Sequence, residues 1–439
     1  SIADTIIDKT ISSGATDCDV VLAKGYGKSI SCRLQKIEDI EESNDKTFAI
    51  RALIGNQQAF VSSSDIDEDK LNESISKVVE MAKLAPEDDT ACLGDKNFFE
   101  NKFDDLNLYQ KKETETDLLI DAVKECEEIA LSTKGISNSE GAGASFSTGE
   151  FFLATSNGFR GGYRSSTNSI SCSVLAGEGL SMERDYDYDV TRHLEDLQKP
   201  HVIGKSAAEK AIQRLNPKKI NSCRTSVVFD KRISNDLLGY FASAISGPAI
   251  ARETSFLKDS LHKQIFSKEI SIIDSPKIKK GLGSRPFDGE GIKTSEKELV
   301  SNGKLNMWIL NTSTAKKLNL KTTGHASRSV GSPPGVGTSN LYMANGINSF
   351  DDMISSIKSG FYATELIGMG VNLITGDYSM GASGLWIENG EIAYPVNEIT
   401  IASNLKEMFL NLSAANDLEF KYRTNAPTLR VDGMTLAGK

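Results

Sequence analysis

This chain carries LLGYFASAISGP at residues 237–248 and GLGSRPFDGEG at residues 281–291. The first stretch reads as a helix on which two metal ligands could lie close together, yet it offers only alanine, serine, isoleucine and glycine there. The second is a glycine-rich string around Asp288 and Glu290, an arrangement typical of a site. Together they predict the surroundings of a functional site without its reactive groups.

The bulk composition is that of a globular protein with more than one core. At 439 residues the chain exceeds what one core usually supports, which favours two domains. Apolar residues make up 39% and charged residues 25%, and no run approaches eighteen apolar residues, so we expect no transmembrane helix. The polar first residues predict no signal peptide.

Charge and cysteine usage restrict partners and compartment. The formal net charge of −10 disfavours direct binding of nucleic acid or of an anionic membrane. The six cysteines are scattered without a CxxC pair, which predicts reduced thiols, most of them buried, and a cytoplasmic location. They are Cys18, Cys32, Cys92, Cys126, Cys172 and Cys223.

The N-terminal part predicts helices flanking antiparallel strands. Isoleucines at helical spacing predict a first helix that ends at Gly14, and the pattern from Asp17 predicts an antiparallel meander. A helix capped by Ser64 or Asp65 is expected over 67–84. The acidic residues 85–108 are predicted to be an exposed connection.

Further elements complete the first domain. We expect a helix over 110–132, four strand-like runs over 137–189 with a hairpin turn at Ser156-Asn157-Gly158, and a helix over 204–215. This order predicts an N-terminal α/β domain with antiparallel sheets and flanking helices, in an α+β protein. Its expected span is 1–216, with sub-parts 1–84 and 110–216.

The second domain is predicted to be rich in β-strands. The boundary is placed at Leu215 to Cys223, so the domain would span 222–439. A buried strand TSVVFD and a helix over 235–247 open it, and short strands with glycine-rich turns follow, interrupted by helices near 350–359 and 402–414. A barrel-like or wrapped sheet fits this pattern best.

A locally built zinc site or a standard nucleophile is not predicted. Zinc needs three or four ligands, two of them usually close in sequence, and no two of His193, His201, His262 and His325 are three to five apart. No G-x-S-x-G string occurs, and Ser243 and Ser246 are interpreted as small residues that allow close packing. GLGSRP lacks the third glycine and the following helix of a dinucleotide fingerprint.

Three polar features leave alternatives open. His325 lies in a polar loop where it could contact substrate or be a solvated or hydrogen-bonded loop histidine. Asp288 and Glu290 could accept backbone N–H groups, order a loop or position a peptide, or belong only to a tight turn. The loop over 329–343, stiffened by two prolines and opened by Gly335 and Gly337, could pair with an extended peptide or be purely structural.

Four long strings make the chain resemble the TldD/PmbA family, and within it the PmbA (TldE) branch. The strings are GLGSRPFDGEG (281–291), ASRSVGSPPGVGTSNLYMANG (326–346), NEITIASNLKEMFLN (397–411) and PTLRVDGMTLAG (427–438). The resemblance covers nearly the whole chain. It implies an N-terminal α/β part, a β-rich C-terminal domain, and paired subunits that enclose a chamber for narrow, unfolded peptides.

The resemblance also implies where a catalytic site would lie. The TldD branch resembles a zinc metallopeptidase with a HExxxH helix and a distant C-terminal cysteine ligand. Those helix positions would fall on Ala242, Ser243 and Gly247, and the last cysteine of this chain is Cys223. Alanine and glycine have no ligating atom, and serine is no carboxylate base near neutral pH.

The leading hypothesis is therefore a subunit without its own cofactor that pairs with a zinc-bearing TldD-like partner, or with a second copy when expressed alone. Its substrates would be small unfolded peptides, in peptide maturation or antitoxin degradation. Arg285, Asp288, Glu290, His325, Gly335 and Gly337 are the expected peptide or partner contacts. The alternatives are a self-sufficient hydrolase with an unrecognised site and a non-proteolytic binding protein, as the older label modulator of DNA gyrase suggests. The sequence leaves open whether this chain catalyses a reaction itself.

Overall fold

The computed structural model describes residues 2–438, in which helices and strands follow one another in the order expected of an α+β protein. The α-helices are α1 Ile2–Ser12, α2 Glu68–Leu84, α3 Thr116–Ser132, α4 Pro200–Gln213, α5 Lys231–Ala244, α6 Gly247–Ala251, α7 Thr312–Lys317, α8 Phe350–Ser355 and α9 Leu405–Leu410. The strands of the first half are β1 Asp17–Arg33, β2 Lys36–Ile54, β3 Gln57–Ser63, β4 Ile136–Thr155, β5 Arg160–Ala176 and β6 Glu183–Thr191. Those of the second half are β7 Cys223–Phe229, β8 Ile272–Asp274, β9 Lys297–Ser301, β10 Lys304–Leu305, β11 Ala326–Ser327, β12 Gly335–Val336, β13 Leu341–Met343, β14 Ser359–Ile367, β15 Asp377–Glu388, β16 Glu391–Asn404, β17 Leu412–Ala414, β18 Thr424–Asn425 and β19 Leu429–Ala437.

One antiparallel sheet of six strands spans the first half, in the order β3-β2-β1-β4-β5-β6. The predicted meander is confirmed, and β1 also pairs with β4, where Asp19 lies opposite Thr155. The early and late strands of this half therefore share a continuous sheet.

The two faces of this sheet have different neighbours. On one face, Val20 packs with α1 and α2, and Ile30 packs with α3 and α4. On the other face, Val21 packs with Phe287 from the second half of the chain. Successive side chains of a strand point to opposite faces, so the sheet is covered by helices on one side and by the C-terminal half on the other.

Several predicted boundaries in the first half are wrong. The N-cap of α2 is Asp67 rather than Ser64 or Asp65, and α3 begins at Thr116 rather than at 110. The region 137–189 holds three strands rather than four, because β4 runs without a break through its glycines and serines. The hairpin turn at Ser156-Asn157-Gly158 is confirmed between β4 and β5, with Gly158 at a φ of 113°.

The segment 85–108 is also not the exposed connection that its acidic composition predicted. Leu106 and Leu108 are buried, each 6% exposed. Phe99 forms a β-bridge with Ile292, and the Lys277 Nζ lies 3.2 Å from a carboxylate oxygen of Glu100. Contacts with residues much later in the chain bury this segment, and its local composition cannot reveal them.

Five strands of the second half close into a barrel. The sheet order is β16-β15-β14-β7-β19-β17, and an additional pairing of β16 with β19 completes the ring β7-β14-β15-β16-β19. All ring pairings are antiparallel except β7 with β14. The predicted β-rich, barrel-like C-terminal domain and the α+β fold class are confirmed.

The core beside the barrel is aromatic and includes α5. Phe241 on α5 packs edge-on against Phe266 with ring centroids 5.4 Å apart, and Phe266 stacks on Phe409 of α9 at 4.3 Å. The predicted helix over 235–247 begins earlier, because the Asp230 side chain accepts a hydrogen bond from the Arg232 N–H and caps it. The helices predicted near 350–359 and 402–414 are the shorter α8 and α9.

A second sheet, in the order β10-β9-β8-β13-β18, lies in the same half. The 281–291 stretch lies between β8 and β9, and the loop before β13 carries β11 and β12, which pair with each other. Within residues 2–438, every helix is too short or too polar to cross a lipid bilayer.

Candidate functional site

The positions where the resemblance places the zinc helix lie at the end of α5 and the start of α6. Ala242 is partly buried against the core, Ser243 is exposed, and Gly247 is buried. The Gly247 N–H donates to the carbonyl of Ile309. None of the three side chains presents an imidazole, thiolate or carboxylate.

Gly247 leaves no space for a larger side chain. A Cβ atom at this position would lie 2.3 Å from Thr314 Oγ1 and 2.6 Å from Thr314 Cβ. Thr314 is held in place on α7, because it forms a capping box with Asn311. A histidine at residue 247 would therefore require α7 to move, so this position does not fit a zinc ligand.

The 281–291 loop is built around the buried carboxylate of Asp288, which is 1% exposed. Its Oδ1 accepts hydrogen bonds from the N–H groups of Glu290 and Ile292, both 2.9 Å long, and its Oδ2 accepts one of 3.1 Å from Ala326. Gly291 has a φ of 82°, a conformation that glycine adopts easily. Asp288 thus accepts backbone N–H groups and orders the turn, which is one of the alternatives that the sequence left open.

Glu290 binds another element instead of facing a cleft. Its Oε2 accepts from the N–H and the hydroxyl of Thr312 at 3.0 and 2.6 Å, at the first turn of α7. Burial raises the pKa of Glu290, and burial together with the nearby Glu290 charge raises the pKa of Asp288. Both carboxyls are buried and already accept hydrogen bonds within this chain.

His325 is a buried, hydrogen-bonded residue with 2% exposure. Its Nε2 lies 3.1 Å from Asp274 Oδ2, and its Nδ1 lies 2.7 Å from Thr323 Oγ1. Asp274 in turn accepts from the N–H and hydroxyl of Ser339, at 2.8 and 3.0 Å. Both ring nitrogens are occupied, so the side chain ties loops together and has no nitrogen left for a substrate.

The loop with Gly335 and Gly337 already has partners for much of its backbone. Strand β12 pairs with β11, so that Gly335 lies opposite Ser327, and the Gly337 N–H donates to the His325 carbonyl. Arg285 donates to the carbonyls of Ala326 and Gly337, at 3.0 and 3.1 Å. These backbone groups already have partners within this chain, which favours the structural alternative for residues 335–337 over pairing with a peptide strand.

A charge cluster that the sequence did not predict joins the sheet to this loop. Asp19 on β1 accepts from Arg51 on β2, with an Nε to Oδ2 distance of 2.7 Å, and also binds Arg328. All three side chains are at most 4% exposed. Asp19 and Arg51 are directly opposite each other in the hairpin. The register of the meander could have revealed that pair, but nothing local reveals Arg328.

Another buried carboxylate connects the two halves at β6. Asp185 receives two hydrogen bonds from Arg232, of 2.7 and 3.1 Å, and its Oδ2 lies 3.5 Å from Arg214. Burial is the largest single influence on the pKa of Asp185 and by itself would raise it. The hydrogen bonds and charge of Arg232, together with the Tyr186 N–H and the Arg214 charge, outweigh burial and hold the pKa below the usual aspartate value.

A cavity of about 300 Å³ lies between the β4–β5 hairpin and the 281–291 loop. Aromatic rings form one wall, with Phe287 5.6 Å from Tyr163 between centroids. Burial raises the pKa of Tyr163, although the guanidiniums of Arg285, Arg192 and Arg423 oppose that rise. The phenol therefore lies within electrostatic reach of all three arginines, which also line the cavity.

Neither a metal centre nor a reactive thiol emerges from the described side chains. No three or more His, Cys, Asp or Glu residues among positions 2–438 are grouped so as to hold a metal ion. All six cysteines are free, and four are buried. Burial is the main cause that raises the pKa of Cys18 and of Cys32 to about 12, so both are protonated at neutral pH.

The N-terminal half is an antiparallel sheet that helices cover on one face. Its other face packs on the C-terminal half, which contains a five-stranded barrel, so the chain is a two-part α+β protein. Comparison with family models assigns the parts: residues 18–85 match PmbA/TldA metallopeptidase domain 1, residues 109–215 the central domain, and residues 222–438 the C-terminal domain. The chain belongs to the PmbA/TldD metallopeptidase family.

Individual relatives agree over nearly the whole length. The chain is 35% identical to Metalloprotease PmbA of Escherichia coli over 432 residues, covering 98% of this chain and 94% of that protein. It is also 35% identical to a Metalloprotease PmbA homolog of Haemophilus influenzae over 435 residues, with the same coverage.

Solved structures show the same fold. A Bacteroides thetaiotaomicron protein described as a candidate modulator of DNA gyrase superposes with a TM-score of 0.91 at 27% identity, covering 100% of this chain and 98% of its own. TldE from Thermococcus kodakarensis superposes with a TM-score of 0.89 at 20% identity, with both chains fully covered.

Proposed function

We propose that this chain is the PmbA/TldE-like subunit of a two-subunit peptidase, and that a TldD-like partner supplies the catalytic zinc. The observation that carries the proposal is the contact of Gly247 with Thr314, where a Cβ would lie 2.3 Å from the hydroxyl oxygen. The position that the resemblance assigns to a zinc ligand is filled by close helix packing.

The other two positions of the zinc motif also support a subunit that binds substrate while its partner carries the zinc. Ala242 has no donor atom, and the exposed Ser243 stands where a carboxylate base would be needed. A subunit of this kind contributes by binding and positioning. We propose small unfolded peptides as the substrates of the assembly, as in peptide maturation or antitoxin degradation.

We also propose that the protein acts in the cytoplasm. All six cysteines are free, which suits a reducing compartment. The net charge of −10 supports a protein or peptide partner rather than nucleic acid.

Co-expression with a TldD-like protein from the same genome tests the proposal. We expect the two chains to co-purify, the complex to contain zinc and cleave peptides, and this chain alone to contain none and cleave none. Two variants of the complex are then compared. Substitution of a zinc ligand in the partner should abolish peptidase activity, whereas Ser243→Ala in this chain should leave that activity unchanged.

Two results would contradict the proposal. Stoichiometric zinc and peptidase activity in this chain alone would support a self-sufficient hydrolase. Recovery of gyrase without any TldD-like chain would support a non-proteolytic binding protein.

A further inference from the structure

Arginine side chains outnumber carboxylates around the cavity beneath the 281–291 loop, where Asp288 is the one carboxylate among the lining residues. Arg192 donates to the carbonyls of Leu282 and Ser166, and Arg285 donates to two further backbone carbonyls. The side chain of Arg423 is exposed and has no hydrogen bond or ion pair within residues 2–438. Asp288 also lines the cavity, but it is surrounded by the backbone N–H groups described above. Four guanidiniums therefore line this space in a chain whose net charge is −10. Arg328 is paired with Asp19, whereas the other three form no ion pair with a carboxylate among residues 2–438.

Hydrogen-bond donors remain free at the same place. The Nε of Arg285 is buried and has no acceptor within the described chain. The hydroxyl of Tyr163 likewise has no hydrogen-bond partner among residues 2–438, although its ring is packed against Phe287. Buried donors are nearly always satisfied in folded proteins, so the unmet Arg285 Nε beside the free Tyr163 hydroxyl points to a ligand that accepts hydrogen bonds.

The shape of the space favours an anionic chain end over a small free ion. The cavity adjoins a second one of about 390 Å³, because Arg192 and Leu282 line both. The second cavity carries charges of both signs, including Lys279, Lys280 and Glu419, so it has no strong preference for an anion. A ligand with a carboxylate at one end and an extended chain behind it matches both spaces.

We propose that this arginine-lined cavity binds the carboxylate of a peptide, with the adjoining residues of that peptide in the second cavity. Guanidinium forks bind carboxylates through paired, charge-assisted hydrogen bonds, and the Tyr163 hydroxyl would add a donor. The inference deepens the proposed function, since it names acidic or carboxyl-terminal peptide ends as preferred ligands. It needs neither the partner subunit nor zinc.

Direct binding to the purified full chain tests this site. The probes are a fluorescein-labelled neutral hexapeptide with a free C-terminal carboxylate, the same peptide with a C-terminal amide, and amides that end in glutamate or glutamine. We expect the free acid to bind about tenfold or more tightly than the amide, by fluorescence anisotropy. Tighter binding of the amide that ends in glutamate than of the one that ends in glutamine would show that the cavity also accepts a side-chain carboxylate.

Substitutions of cavity residues test whether the preference for the free acid arises in the cavity. Arg423→Gln should weaken the acid peptide about tenfold and leave the amide unchanged, and Tyr163→Phe should weaken the acid peptide about threefold to tenfold. Arg252→Gln is the matched control, because Arg252 is also exposed, has no side-chain partner among the described residues and lines none of these cavities. Thermal unfolding of each variant verifies that the fold is intact.

Equal binding of acid and amide, or equal weakening by Arg423→Gln and Arg252→Gln, would overturn the assignment. Inorganic phosphate is titrated alone as a further probe. Phosphate binding without a preference for acid over amide would assign the cavity to a phosphate group and overturn the peptide proposal. Because all these measurements use the isolated chain, none of these failures affects the two-subunit hypothesis, which depends on zinc and activity in the complex.

Discussion

At the scale of single residues, Gly247 shows how packing can exclude a chemistry. The absence of a side chain lets α6 approach Thr314 so closely that even one methyl group would overlap it. Introducing histidine at residue 247 by a single substitution would therefore not rebuild a zinc site, because the backbone there lies in contact with Thr314.

Gly247→Ala should destabilise the protein by about 1–3 kcal/mol, because the added methyl group overpacks the contact with α7. Urea denaturation measures the change. Gly239→Ala is the matched control, since Gly239 lies on the neighbouring helix α5 with nothing within 4 Å of its Cβ position. The control should be stabilising by about 0.5–1 kcal/mol, and equal effects of the two substitutions would contradict this account.

At the scale of elements, the Asp19 cluster fastens a loop of the C-terminal half to a hairpin of the N-terminal sheet. One buried carboxylate serves both Arg51 and Arg328. Such a cluster holds the loop in a single position because any other position would leave a buried charge unpaired.

Asp19→Asn should cost about 3–5 kcal/mol of stability, since two buried guanidiniums lose their shared counter-charge. Chemical denaturation gives the value. Glu73→Gln, which breaks the exposed Lys70–Glu73 pair on α2, serves as the control and should leave stability unchanged within error. A similarly small change at residue 19 would show that the cluster does not hold the loop.

Helix α2 and the first meander were predictable because their information is local. The apolar residues of α2 repeat on one face, and the strands of the hairpin contain short runs of β-branched and aromatic residues bounded by glycines. Helix α3 was placed too early because the polar residues from 110 to 115 carry no period, and the glycines of β4 made one strand look like two.

The candidate site was harder to predict, because its residues come from distant parts of the sequence and the information is not local. His325 looked like a surface loop residue because Asp274, its partner, lies far away in sequence. The arginine-lined cavity was missed almost entirely, since Arg192 comes from the end of β6 and Arg423 from just before β18. Only Arg285 was singled out, and it was singled out by its motif rather than by its charge.

At the scale of the whole molecule, buried ion pairs join the two halves and make their contact sensitive to acid. Burial raises the pKa of Asp185, but Arg232, Arg214 and the Tyr186 N–H together outweigh it, so the folded-state pKa lies below the ordinary value. A carboxyl whose pKa is lower in the folded state than in the unfolded state stabilises the folded state. This contribution is complete above the pKa of the unfolded state and is lost as pH falls through the pKa of the folded state.

Asp185→Asn should therefore lower stability by a constant amount above about pH 5, and the difference from the wild type should shrink below about pH 4. Denaturation curves recorded from pH 7 to pH 3 measure it, and all other carboxyls are common to both proteins. Asp8→Asn, on the surface helix α1, is the control and should follow the wild type. A difference that stays constant down to pH 3 would contradict the depressed pKa.

The closed barrel also sets an order of events during synthesis. Strand β7 begins the second half, yet one of its two neighbours is β19, and the contact between Ser226 and Asp432 joins positions 206 residues apart. At ribosomal speeds of about 5–20 residues per second, β7 waits about 10–40 s for that neighbour. The first half can form its sheet in the meantime, whereas the second half has an open, hydrophobic edge during this interval. That edge is where a chaperone would bind the growing chain.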